Sequence, residues 1–211
     1  MPLGPLAANA YVVGNEDTRA CIVVDPGQEP SPLVERIRSE GWRVEAMLAT
    51  HAHFDHIGGA AILQEATGAT LYAPASEIAW LVDPERNLSA PLAGAGVPVV
   101  RLEGVRVAAV TGGHEFHLGS ALLCVLATPG HTPGSLSLYA PTLGATGAVF
   151  TGDTLFAGTI GRSDLPGGDG ARLLTSIRRE LLALPPDTVV LPGHGRATSV
   201  EEERLLNPYL A

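Results

Sequence analysis

Thr50-His51-Ala52-His53-Phe54-Asp55-His56 is the stretch on which the reading of this chain turns. Three imidazoles and one carboxylate fall between His51 and His56, directly after the apolar run Met47-Leu48-Ala49, which reads as a buried strand. Neutral imidazole and carboxylate are ligands for Zn, Fe or Mn. In extended chain His51 and His53 project to the same side. The chain must then turn, because Gly58-Gly59 and the pattern Ile57, Ala60-Ala61-Ile62-Leu63 read as the start of a helix. Asp55 and His56 therefore sit at a strand-to-helix turn, where they can point at a second position a short distance from the first. A single histidine is more often a hydrogen-bonded core or surface residue. Four ligand-type side chains at this spacing on a strand end point to metal instead.

This H-x-H-x-D-H run resembles the metal signature of the metallo-β-lactamase superfamily. The resemblance implies three further ligands downstream: a His, an Asp and a His. All three occur in order, in Thr128-Pro129-Gly130-His131-Thr132-Pro133-Gly134, Phe150-Thr151-Gly152-Asp153-Thr154 and Leu191-Pro192-Gly193-His194-Gly195. Each sits where a strand stops and a Gly-rich turn begins, the usual place for a site in layered α/β proteins. The resemblance also implies the fold, an α/β four-layer αββα sandwich over a single domain, residues 1–211. By the same route His51, His53 and His131 would hold one metal, Asp55, His56 and His194 a second, and Asp153 would bridge them. Asp55 would in addition act in catalysis, orienting a shared hydroxide. Asp25 becomes a carboxylate that steadies the metal loop, although Asp25-Pro26-Gly27 is turn chemistry in any case.

Bulk composition bounds the rest. A chain of 211 residues suits one large domain, and 45% apolar residues with positive mean hydropathy allow a sizeable core. The 25 Gly and 17 Pro suit many short strands joined by turns. A formal charge of −9 disfavours nucleic acid. There is no run of 18 apolar residues to span a membrane and no secretory signal in Met1-Pro2-Leu3-Gly4-Pro5-Leu6. Cys21 and Cys124 read as buried free thiols of a reducing cytoplasm, with a disulfide as the lesser reading.

Along the chain, Asn9 to Val13 and Ala20 to Val24 read as strands and Pro30 to Gly41 as an amphipathic helix carrying Leu33 and Ile37. Ile57 to Thr67 reads as one helix and Ala75 to Leu81 as a short one. Residues 83–98 read as an irregular loop, either on the pocket rim or merely solvated. Strands are expected at Val105 to Val110, Glu115 to Leu118, Ala121 to Ala127, Leu136 to Tyr139, Ala148 to Thr151 and Thr188 to Leu191. Helices are expected at Ala171 to Leu184 and Glu201 to Leu206. His114 and His117 fall on opposite faces of a strand edge and read as non-ligands.

Seven ligands exceed what one ion needs, so two divalent ions are expected, zinc first and iron or manganese as alternatives. Ions about 3.5–4 Å apart can share a hydroxide and lower the pKa of bound water towards roughly 7, and no protein nucleophile is then needed. No G-x-S-x-G motif competes with this reading. Gly161-Arg162-Ser163-Asp164, Leu191-Pro192-Gly193-His194-Gly195 and Glu202-Glu203-Arg204-Leu205-Leu206-Asn207-Pro208 resemble the glyoxalase II-like branch. That branch implies a small-molecule thioester, typically S-lactoylglutathione, cleaved to a hydroxy acid and a thiol. Glyoxalase II proper carries a C-terminal helical domain that grips glutathione, and this chain ends at Ala211 without it, which points towards a broader thioesterase. Arg162 is the candidate clamp for a substrate carboxylate, against an internal ion pair with Asp164. The alternatives are a mono-iron persulfide dioxygenase held by two His and one Asp, a lactonase or β-lactamase, and a metal-binding module without activity. Oligomeric state leaves no trace in the sequence.

Overall fold

A computed structural model describes residues 1–210 and divides the chain into two compact units, Met1–Val110 and the part from Thr111 onward. In the first unit the apolar run Ala20–Val24 is buried at all five positions, as a parallel strand covered on both faces must be. It pairs antiparallel with Tyr11–Asn15 on one side and parallel with Arg43–Leu48 on the other. Thr70–Pro74 and Val107–Val110 extend the sheet in parallel to five strands. Parallel neighbours need crossovers. The helix Ser31–Ser39 supplies the first, with Leu33, Val34 and Ile37 on its buried face, and Ala60–Thr67 belongs to the second. Leu33 and Ile37 join Val23, Met47, Leu63 and Leu71 in one core, each contributing about 1.5–3 kcal/mol by burial.

The expected helix from Ile57 to Thr67 is two pieces, Phe54–Ile57 and Ala60–Thr67. The break has a tertiary cause. A Cβ on Gly59 would lie 2.2 Å from the Gly27 carbonyl oxygen, and Gly59 N–H donates to Pro26 O at 2.8 Å. The glycine thus lets the loop after Ala20–Val24 dock against the turn that follows Asp55 and His56. Residues 83–98 are also more ordered than a solvated loop, because they contain the short helix Ser89–Leu92 and the fully buried Asn87 and Ser89. The Asn87 amide donates to the carbonyls of Trp80 and Val100, and its own backbone carbonyl accepts from Phe54 N–H at 2.9 Å.

The second unit is a six-stranded sheet in the order Thr198–Ser199, Val189–Pro192, Ala148–Gly152, Leu136–Ala140, Ala121–Ala127, Glu115–Leu118. All neighbours are antiparallel except Ala148–Gly152 with Val189–Pro192. The parallel pair is joined through the helix Gly170–Ser176, which opens into a π-helical turn over Ile177–Leu181. Asp169 caps it by accepting from Arg172 N–H at 3.0 Å. Leu173, Ile177 and Leu181 pack on Val149, Val190 and Val200. A two-stranded hairpin, Leu155–Phe156 with Thr159–Ile160, follows Asp153.

Candidate metal centre

In the first unit the ligand-type side chains follow the strand Arg43–Leu48, at its C-terminal end. His51, His53, Asp55 and His56 are all buried, and a buried polar cluster is tolerated only when every group is bonded or holds an ion. Its organiser is Asp25, buried at the end of the neighbouring strand Ala20–Val24, in the left-handed region at φ 53. The Asp25 carboxylate accepts from Thr50 N–H at 2.7 Å, from the Thr50 hydroxyl at 2.9 Å and from His56 Nδ1 at 2.9 Å. The Thr50 hydroxyl spends its proton on Asp25, so its lone pair accepts from His51 Nδ1 at 3.1 Å. These bonds assign both tautomers. His51 and His56 carry their protons on Nδ1 and present Nε2 lone pairs. His51 Nε2 lies 3.0 Å from His53 Nδ1, and His56 Nε2 lies 3.6 Å from Asp55 Oδ2.

The second unit follows the same logic. Ala121–Ala127, Ala148–Gly152 and Val189–Pro192 run in one direction, so the turns after them gather at one end of the sheet. His131, Asp153 and His194 occupy those turns. His131 Nδ1 donates to the Arg162 backbone carbonyl at 2.8 Å, which leaves the Nε2 lone pair. That Nε2 lies 3.7 Å from Asp153 Oδ2, and His194 Nε2 lies 3.7 Å from the same oxygen. Gly161 makes this approach feasible, because a Cβ there would lie 1.8 Å from the Asp153 carbonyl oxygen.

Two atoms bound to one ion at about 2.0–2.2 Å are roughly 2.9–3.7 Å apart for ordinary coordination angles. The four separations within the units, from 3.0 to 3.7 Å, fall in that range. The longer three exceed hydrogen-bond length. Metal-ligating histidines donate their outer N–H to a carboxylate or carbonyl, as His56 and His131 do here. The donor set therefore fits divalent metal. Every cluster of ligand-type side chains among the described residues is drawn from His51, His53, Asp55, His56, His131, Asp153 and His194, and His114 and His117 belong to none.

Sequence reasoning missed Glu77. It is fully buried in the 3₁₀ helix Ala75–Val82 and accepts from Ala52 N–H at 2.8 Å, which fixes the backbone between His51 and His53. A lone Glu in an apolar segment carried no periodic signal, and its being out of place among Ile78, Trp80 and Leu81 was the only clue. The Arg162 guanidinium makes a bidentate pair with Asp164, at 2.8 and 2.7 Å, on the exposed surface. That pair draws the Asp164 carboxyl down to about 2. Both cysteines are free thiols, and burial pushes Cys21 up to about 11, with Glu45 adding to it. No helix among the described residues is long and apolar enough to cross a membrane.

The chain is similar to known proteins over nearly its whole length. The family model described as "Metallo-beta-lactamase superfamily" matches residues 3–194. A probable metallo-hydrolase of Bacillus subtilis, YqgX, is 41% identical over 210 residues, spanning 100% of this chain and 95% of the relative. The hydroxyacylglutathione hydrolase GloC of Haemophilus influenzae is 31% identical, with 100% and 96% covered. Among solved structures, BLEG-1 B3 metallo-β-lactamase superposes with a TM-score of 0.92 at 37% identity, covering 100% of this chain and 97% of that one. TTHA1623 in a di-iron-bound form gives 0.81 at 36%, covering 100% and 98%. The chain has the α/β fold of the metallo-β-lactamase superfamily and belongs to that family.

Proposed function

We propose that this protein is a metal-dependent hydrolase of acyl thioesters, with His51, His53 and His131 as ligands of one ion, Asp55, His56 and His194 of a second, and Asp153 shared. The observation that carries the reading is the proton bookkeeping of the imidazoles. Asp25 and the Arg162 carbonyl hold the Nδ1 protons of His56 and His131, so the opposite nitrogens present lone pairs beside carboxylates at 3.6 and 3.7 Å. Equal distances from Asp153 Oδ2 to His131 and His194 support a shared role for that oxygen. A bound divalent pair, zinc or iron, supplies Lewis-acid activation of water and of the substrate carbonyl; the di-iron form of TTHA1623 supports iron as an occupant alongside zinc.

The chain's own residues do the rest. Asp25 and Thr50 orient His51 and His56, and Glu77 fixes the backbone between the first two histidines; the Asp55 carboxylate, whose Oδ2 lies 3.6 Å from His56 Nε2, would also orient the attacking water. In the reaction the acyl carbon gains oxygen from water, the C–S bond breaks, and the thiolate leaves and takes up a proton. Thioester chemistry is supported by near full-length similarity to GloC. Arg162 serves as a carboxylate clamp only by leaving Asp164. The likeness to BLEG-1 favours β-lactam hydrolysis as the second reading. Steady-state hydrolysis of S-lactoylglutathione, simple acyl thioesters and a chromogenic cephalosporin, with metal content measured on the same samples, tests both. Thioester turnover well above cephalosporin turnover is expected. Protein carrying two metals per chain that cleaves no thioester overturns the proposal.

A further inference from the structure

Beside His194 lies a cleft of about 340 Å³ walled by Phe156, Ala157 and Thr159 on one side and by His194, Gly195 and Arg196 on the other. The volume is at the lower end of the roughly 300–1,000 Å³ of small-molecule sites. Its walls are formed by the Phe156 ring, the Ala157 methyl group, Thr159, the His194 imidazole and Gly195. The one cation at its edge, Arg196, donates to Glu202 at 2.6 Å and to the Ala197 carbonyl at 3.0 Å, so its charge is already matched.

The cleft is built rather than incidental. Its outer wall is the turn of the hairpin Leu155–Ile160, which on its own would be a mobile two-strand ribbon. Two buried polar residues of the C-terminal segment hold that turn. Glu203 accepts from Gly158 N–H at 3.1 and 2.9 Å and from the Thr198 hydroxyl at 2.7 Å. Asn207 donates to Glu203 at 2.7 Å and to the Thr159 carbonyl at 3.1 Å. Burying a carboxylate and an amide is costly unless every bond is made, and here those bonds are spent on the cleft wall. This gives the Glu203 and Asn207 positions of the C-terminal segment a physical purpose.

We infer that this cleft receives the uncharged, apolar arm of the substrate, and that the protein selects thioesters bearing a short aliphatic or aromatic acyl group over ones whose nearest arm is charged. The inference rests on the proposed thioester hydrolysis, because it places His194 next to the reacting centre. Burial of one methylene predicts about a fourfold gain in kcat/KM per added carbon while the cleft fills, then a plateau.

The test uses metal-loaded protein and two series. One is straight-chain acyl thioesters of a single small thiol from acetyl to octanoyl, read as kcat/KM. The other is straight-chain carboxylates of the same lengths, read as dissociation constants by calorimetry. Each is measured for wild type, for Ala157→Phe, which fills the cleft, and for Phe156→Ala, which removes a wall, with metal content and melting temperature checked. A chain-length slope in both series that both variants flatten supports the inference. A flat wild-type slope, or a slope that neither variant alters, overturns it. Length-dependent carboxylate binding flattened by the variants, with no thioester turned over, sinks the hydrolysis reading and leaves the cleft assignment standing.

Discussion

Replacing Asp25 by Asn isolates the proton bookkeeping, because the side chain keeps its shape and its tolerance for the left-handed backbone at φ 53. One amide arm, the oxygen, still accepts from Thr50 N–H, now accepted at 2.7 Å. The other arm becomes NH₂ and faces the Thr50 hydroxyl and His56 Nδ1, both at 2.9 Å and both donors in the wild type. To avoid donor facing donor, His56 must move its proton from Nδ1 to Nε2. The Thr50 hydroxyl then accepts from the new amide and turns its proton on His51 Nδ1, so His51 changes tautomer as well. Both Nε2 lone pairs are lost to protons. Removing one outer partner of a metal ligand costs about 10–100-fold in affinity, so two affected ligands give about 10²–10⁴-fold. Metal-free stability falls less, by about 1–3 kcal/mol, because most bonds are remade with altered polarity. For a chain of this length that is a melting-temperature loss of roughly 2–12 °C. Asp25→Ala gives the opposite ranking. It leaves three donors orphaned and places Ala in a left-handed conformation, so it folds less stably than the Asn variant, yet it forces neither tautomer and binds metal more tightly. Competition with a chromogenic chelator and calorimetry in chelator measure the two quantities separately. Wild-type metal affinity in Asp25→Asn, or weaker binding in Asp25→Ala than in Asp25→Asn, would refute the reasoning.

Other outcomes follow from the same geometry. Arg162→Ala is expected to leave metal content and melting temperature nearly unchanged, because His131 is held by the main-chain carbonyl of residue 162. NMR titration should show Asp164 rising from about 2 to the ordinary carboxylate range, and loss of metal would contradict the assignment. Gly161→Ala drives a Cβ towards the Asp153 carbonyl oxygen and the His131 Cβ, so metal affinity and stability should both fall, the latter by about 1–3 kcal/mol in a chelator-free melt; an unaffected variant would show that the turn has slack. Burial pushes the Cys21 thiol from 9.0 to about 11, and burial followed by Asp25 pushes the Tyr11 hydroxyl from 10.0 to about 12. In those windows the unfolded chain releases protons that the folded chain keeps, so stability falls as pH rises from about 9 to 12. Urea midpoints at successive pH values should show that decline, with Cys21→Ala delaying its onset by about one unit of pH; a flat wild-type profile would disprove it.

Much of this molecule was legible in one dimension. Continuous apolar runs marked Ala20–Val24 and Ala148–Gly152, alternation marked Glu115–Leu118, and the 3.6-residue repeat marked the helix Ser31–Ser39, because burial of both faces or of one writes itself directly into residue order. The spacing of His51, His53, Asp55 and His56 marked a candidate metal site by itself, whereas His131, Asp153 and His194 were singled out by resemblance to the superfamily. What sequence order left open is orientation. Gly58-Gly59 reads as the opening of a helix, and only the close approach of Gly27 and Pro30 shows why the helix breaks there. The tautomers of His51 and His56 depend on Asp25, and the footing of the His51–His53 segment depends on Glu77, contacts that span 25 to 31 residues. Hydrogen bonds of that reach follow no period. They exist only once adjacent parallel strands place their ends side by side. Local order therefore determined which atoms are available to a metal, and tertiary structure alone decided which nitrogen of each ring carries the proton.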